Sequence, residues 1–130
     1  MLFYYYKEYP ASKRNAIIFA QTAKYEMVYR IRAKATQVFV NESFLGTIEP
    51  DGTLHHPERR EVFGKIDRSQ PYRRPITLEE VEMGTVVLPA SKPNVNPRAF
   101  EIDEKMDERQ QVFFMVLGIY EVINYLTKSN

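Results

Sequence analysis

Hydrophobic positions along this chain follow two different rhythms. Through most of its length, short apolar runs alternate with charged residues and are cut by Pro, Gly and Asn. Near the C-terminus a continuous apolar stretch takes over. The clearest of the short runs is residues 25–34. Tyr25, Met27, Tyr29, Ile31 and Ala33 fall on one side of it, and Glu26, Val28, Arg30, Arg32 and Lys34 on the other. That period of two predicts a half-buried strand. Residues 2–9 are dense in aromatics, stop at Pro10 and read as another strand. After a polar break at residues 12–15, Ile17, Ile18 and Phe19 open a second apolar run.

Residues 37–40 and 44–48 flank the polar Asn41-Glu42-Ser43 and predict a hairpin. Pro50-Asp51-Gly52 is a turn, because Pro presets φ and Gly accepts φ > 0. Further strands are predicted at 61–66, at 79–88 before Pro89, and at 100–102, with a basic, Pro-punctuated loop at 70–75 and a Pro- and Asn-rich connection up to Pro97. Three segments share the pattern apolar-Gly-x-apolar: Leu45-Gly46-Thr47-Ile48, Phe63-Gly64-Lys65-Ile66 and Met83-Gly84-Thr85-Val86. Glycine within a strand marks a bulge, a bend or a close backbone approach. The repeat reads either as a meander bent at similar heights or as a coincidence of short glycine patterns.

The long apolar stretch predicts a helix. Asp107 and Gln110 have capping-box spacing, and Asp103, Glu104, Asp107 and Glu108 supply negative charge where the helix dipole favours it. Residues 112–120 are apolar on every side, followed by Val122, Ile123, Tyr125 and Leu126. Such a helix is buried by protein or by lipid. Glu121, Asn124, Gln110 and Gln111 leave the run short of the ~20 apolar residues a membrane span requires. A core helix and no transmembrane segment is therefore expected.

The assembled expectation is a single domain of 130 residues with a β-rich α+β fold. An aromatic strand region spans 1–24, a β-meander spans 25–102, and the helix spans 103–128. The meander forms a curved antiparallel sheet or partial barrel packed around the apolar C-terminal helix. Composition adds exclusions. With 18 Lys and Arg against 17 Asp and Glu, global charge points to no nucleic-acid partner. The absence of Cys excludes disulfides, thiolate metal sites and cysteine nucleophiles, and suits a reducing, cytoplasmic setting for a soluble chain. The N-terminal residues lack the basic, apolar and small-residue regions of a secretory signal, so no targeting segment is expected.

Candidate chemistry is sparse. Arg30, Arg32 and Lys34 share one strand face, and alternate residues ~6.7 Å apart make the three charges span ~13 Å. Such a row can grip a phosphate-bearing head group or a nucleic-acid backbone, with Arg73 and Arg74, and also Arg59 and Arg60, extending it. The simpler reading is a solvated face whose charges discourage edge pairing. His55 and His56 adjoin Glu58 and Glu61, but neighbours on an extended chain point apart, so a surface loop at Pro57 is the simpler reading than a metal site. Likewise, the acidic residues before the helix suit its dipole better than a cation. Glu121 either emerges into water at the end of the core, the simpler reading, or is buried and needs an arginine. Ser12, Ser43, Ser69, Ser91 and Ser129 lie in no nucleophile elbow, and no phosphate loop is present. No cofactor is called for.

In the order of its elements the chain resembles the tubby C-terminal-like superfamily, which includes LURP-one-related and phospholipid-scramblase proteins. Residues 39–48, residues 62–66 and residues 112–123 carry the resemblance. It implies a β-barrel around a central apolar helix and a link to anionic lipid. Three functions follow as expectations. The first is a non-enzymatic binding domain for an anionic lipid head group or similar phosphate-bearing ligand. The second is a protein-interaction or homodimer module built on Phe3, Tyr4, Tyr5, Tyr6 and Tyr9. The third, least favoured, is a small metal-dependent enzyme at the His55–His56 loop.

Overall fold

The computed structural model describes residues 3–8, 16–32, 34–59, 61–88 and 100–127. The predicted features at Tyr9, Pro10, residues 12–15, Ala33, Arg60, residues 89–97 and Lys128 lie outside them, as do Ser91 and Ser129. The described residues form ten strands and one helix, a β-rich α+β arrangement in which every strand pair described below is antiparallel. The chain forms two compact units, Met1–Glu61 and Val62–Asn130.

The first unit is a meander of β1 (Phe3–Glu8), β2 (Ala16–Gln21), β3 (Glu26–Ile31), β4 (Thr36–Val40), β5 (Ser43–Ile48) and β6 (Thr53–His55), each paired with the next. The predicted alternation governs its packing. Ile18, Ala20, Met27, Tyr29, Val38, Ile48 and Leu54 are buried, whereas Phe19, Val28, Arg30, Phe39 and Thr47 face the other way and keep some exposure. One boundary differs from expectation. β3 stops at Ile31 because the Arg32 N–H donates to the Ala35 carbonyl at 3.0 Å and closes a turn. Lys34 thus belongs to that turn and not to the strand face. The Pro50-Asp51-Gly52 turn forms as predicted, with Gly52 at φ 93° and its N–H donating to the Glu49 carbonyl.

In the second unit, β7 (Val62–Ile66), β8 (Arg73–Leu78), β9 (Val81–Val87) and β10 (Phe100–Ile102) precede α1 (Glu108–Thr127). The strand β8 corrects the predicted loop at 70–75. Pro75 is tolerated because the β7–β8 ladder begins only at Ile66 and Ile76. The Pro75 carbonyl accepts from the Asp67 N–H at 2.9 Å, on the side where a proline N–H is missing. Glu79 and Glu80, predicted as strand, instead form a two-residue hairpin turn with φ 52° and 67°. Asn41 and Glu42 form the same turn in the first unit with φ 48° and 71°. Left-handed residues at both turn positions match the right-handed twist of the flanking strands.

The glycine repeat has a structural basis. In both hairpins the register shifts within the strand after the turn, so Leu45 and Met83 lie without a partner opposite, immediately before Gly46 and Gly84. A Cβ on Gly46 would collide with the His55 carbonyl oxygen, and one on Gly84 with the Glu101 carbonyl oxygen. Gly64 is crowded in the same way, with the Thr77 carbonyl oxygen 2.9 Å from the place of its Cβ.

The helix opens on the predicted capping box. The Gln110 N–H donates to Asp107 Oδ1 at 2.8 Å, and the Asp107 N–H donates to Gln110 Oε1 at 3.1 Å. The helix packs on β7, β8 and β9. Phe113 stacks on Phe63 with ring centroids 4.5 Å apart, and Phe114 meets Phe100 edge-on. Arg109 lies over the rings of both Phe63 and Phe113. Leu117, Ile119 and Ile123 are fully buried, each contributing roughly 1.5–3 kcal/mol relative to exposure. Among the described residues no helix is long and apolar enough to cross a membrane.

Candidate functional site

The half-exposed face of the first unit carries two cross-strand rows. In one, register sets Ile17 opposite Arg30, Arg30 opposite Gln37, Gln37 opposite Thr47, and Thr47 opposite His55. In the other, Phe19, Val28, Phe39 and Phe44 follow one another across β2 to β5. Phe39 and Phe44 stack with centroids 5.0 Å apart, and Phe44 keeps 43% exposure. Sheet pairing continues both rows onto β1, where Lys7 is opposite Ile17 and Tyr5 opposite Phe19.

Arg30 and Lys34 are exposed, and Arg32 is half-buried with Nη1 donating to the Ile31 carbonyl at 2.9 Å. Among the described residues none of the three forms a salt bridge. Glu26 is on the same strand face, four residues from Arg30 and therefore ~13 Å away along the strand.

The predicted partners Arg73 and Arg74 belong to the second unit and are engaged there by carboxylates. Arg73 Nη2 donates to Glu101 at 2.6 Å on the surface. Arg74 Nη1 donates to Glu121 Oε2 at 2.6 Å, its Nη2 reaches the Pro71 carbonyl at 3.3 Å, and its guanidinium lies 6.0 Å from the Tyr125 ring centroid. Arg74 Nε is buried without a partner.

Glu121 is the centre of that second cluster, and the expectation that it emerges into water fails. It is 1% exposed. Arg68 holds it from the other side, with Nε donating to Oε2 and Nη2 to Oε1, both at 2.8 Å. Burial alone pushes the carboxyl up, but the hydrogen bonds and charges of Arg68 and then Arg74 outweigh it and hold Glu121 below the ordinary carboxylate range. Burial of a carboxylate here requires an arginine partner, and the apolar helix pattern offers no way to find Arg68 in a polar loop 53 residues away.

His55 and His56 diverge, as neighbours on an extended chain must. His55 ends β6 and does not lie in a loop. Its Nε2 meets Glu49 Oε1 at 2.6 Å and its Nδ1 meets the His56 carbonyl at 2.8 Å. His56 Nδ1 accepts the N–H groups of Glu58 and Arg59. Both ring nitrogens of His55 are thus occupied, which leaves none for a substrate proton or a metal. Among the described residues no three His, Asp or Glu side chains gather as metal ligands. Glu49 and the Phe19–Phe44 row went unread in the sequence, although strand alternation around Val28 and Phe39 contained the signal. Compared with protein-family models, with curated proteins and with solved structures, the chain has no match.

Proposed function

We propose that the first unit is a non-enzymatic binding domain whose half-exposed sheet face docks on an anionic, phosphate-bearing surface such as lipid head groups. The observation that carries this reading is a contrast between cations. Arg68 and Arg74 share the Glu121 carboxylate and Arg73 pairs with Glu101, whereas Arg30, Arg32 and Lys34 have no carboxylate partner among the described residues. The apolar row beside Arg30 suits the same ligand. Aromatic side chains favour a boundary where one end is wet and the other apolar, and each cation near an anionic surface adds about 1 kcal/mol to binding. The resemblance to the tubby-like superfamily belongs to the same proposal and rests on the order of elements. Flotation with vesicles tests it. Recovery is expected with phosphatidylserine-containing vesicles and not with neutral phosphatidylcholine vesicles, and to fall as salt rises. Equal recovery on both would remove the reading.

A further inference from the structure

A neutral imidazole has one N–H donor and one acceptor, whereas an imidazolium donates from both nitrogens. Both nitrogens of His55 face acceptors, Glu49 Oε1 at 2.6 Å and the His56 carbonyl at 2.8 Å. Only the protonated ring satisfies both. On deprotonation one of the two contacts becomes acceptor against acceptor, and the Glu49 charge loses its counterion. The pair therefore changes from net zero to net minus one. This change falls on the face already described, because His55 continues the cross-strand row from Arg30 through Gln37 and Thr47. Adjacent strands are ~4.8 Å apart, so His55 is three strands, or ~14 Å, from Arg30. A surface docked on the face covers both.

We propose that the His55–Glu49 pair makes anion binding by this face pH-dependent, with tighter binding where His55 is protonated. The inference rests on the reading of the face as an anion-docking surface. Other charged groups around the pair leave the sign unchanged. In the turn before β6, Asp51 is engaged with the Thr53 N–H. After β6, the His56 ring accepts from the Glu58 and Arg59 N–H groups, and Glu61 meets the His56 N–H through its carbonyl. Neither Glu58 nor Arg59 forms a salt bridge among the described residues. The hydrogen bond to Glu49 raises the His55 pKa from 6.5, burial pulls it down, and the His56 carbonyl and the Glu49 charge raise it further. The transition is thus placed on the alkaline side of an ordinary histidine.

The test is flotation on phosphatidylglycerol-containing vesicles, whose only ionisable group is a phosphodiester that stays charged over the range, at about pH 6 and about pH 9 on either side of an ordinary histidine. One net charge near such a surface changes affinity about fivefold, so the native chain should bind about fivefold more weakly at the higher pH. His55→Gln should bind at the weaker level throughout, without the step. Glu49→Gln should bind at the higher pH as tightly as the native chain does at the lower. His56→Gln should keep the native step. A native chain that binds without a step, or a His55→Gln variant that keeps one, overturns the proposal. Absence of binding at either pH removes the docking reading itself, and this inference with it.

Discussion

Replacing Glu121 by Gln changes one oxygen and tests what organises the second unit. The native carboxylate accepts three charge-assisted hydrogen bonds, two from Arg68 and one from Arg74, while 1% exposed. A glutamine amide has one acceptor oxygen, so it keeps part of this set and turns an N–H₂ group toward a guanidinium. Arg68 is attached to a loop and retains 31% side-chain exposure, so it can recover water; Arg74, at 20%, recovers less, and its Nε already lacks a partner. Removing one member of a buried pair costs about 3–5 kcal/mol. The partial exposure of both arginines puts this case at the lower end, about 3 kcal/mol, or a fall in melting temperature of about 10 °C for a chain of this size.

Urea unfolding followed by far-ultraviolet ellipticity measures this loss, and its pH dependence gives a second handle. The folded carboxyl titrates below its unfolded value of 4.5. Its contribution is therefore present above pH 4.5 and disappears as pH falls through the depressed folded value. Native stability should fall steeply in that acid range, and the Gln variant should fall less, so the two curves converge. A Gln variant within 0.5 kcal/mol of native at neutral pH, against the ~3 kcal/mol expected, would refute the reasoning.

Two further substitutions probe the hairpins. Gly84→Ala puts a Cβ onto the Glu101 carbonyl oxygen and against the Phe114 ring; β9 and β10 must part, at a cost of about 1–3 kcal/mol in thermal or urea unfolding. Conversely, Glu79→Asn with Glu80→Gly relieves two left-handed glutamates and should stabilise the β8–β9 hairpin by about 0.5–1 kcal/mol, read as a higher urea midpoint.

What could be read in advance followed from periodicity. The alternation across residues 25–34, the hairpin at Asn41-Glu42-Ser43 and the Asp107–Gln110 cap depend on neighbours in sequence: the alternation holds over Glu26–Ile31, the hairpin turns at Asn41 and Glu42, and the cap forms. Misreadings arose where a local cue was decided by tertiary context. Pro75 looked like a loop residue, yet its missing N–H falls beyond the end of a ladder. Glu79 and Glu80 show no glycine or asparagine signal, and the flanking strand pairing imposes their φ values. Glu121 looked wet because its partner Arg68 is remote in sequence. Similarly, Arg73 and Arg74 resembled Arg30 and Arg32 as bare charges; only the fold brings Glu101 and Glu121 to the first pair.

The docking reading rests on where charge sits, and a paired charge reversal tests it most directly. Arg30→Glu changes the charge of the β3 face by two, and Lys65→Glu changes net charge equally from an exposed position on β7 in the second unit. Affinity for phosphatidylserine-containing vesicles should fall about 30-fold for Arg30→Glu, at about 1 kcal/mol per charge, and stay within about twofold of native for Lys65→Glu. Equal losses in the two variants would mean that only total charge matters, and would contradict a site on the face of β3.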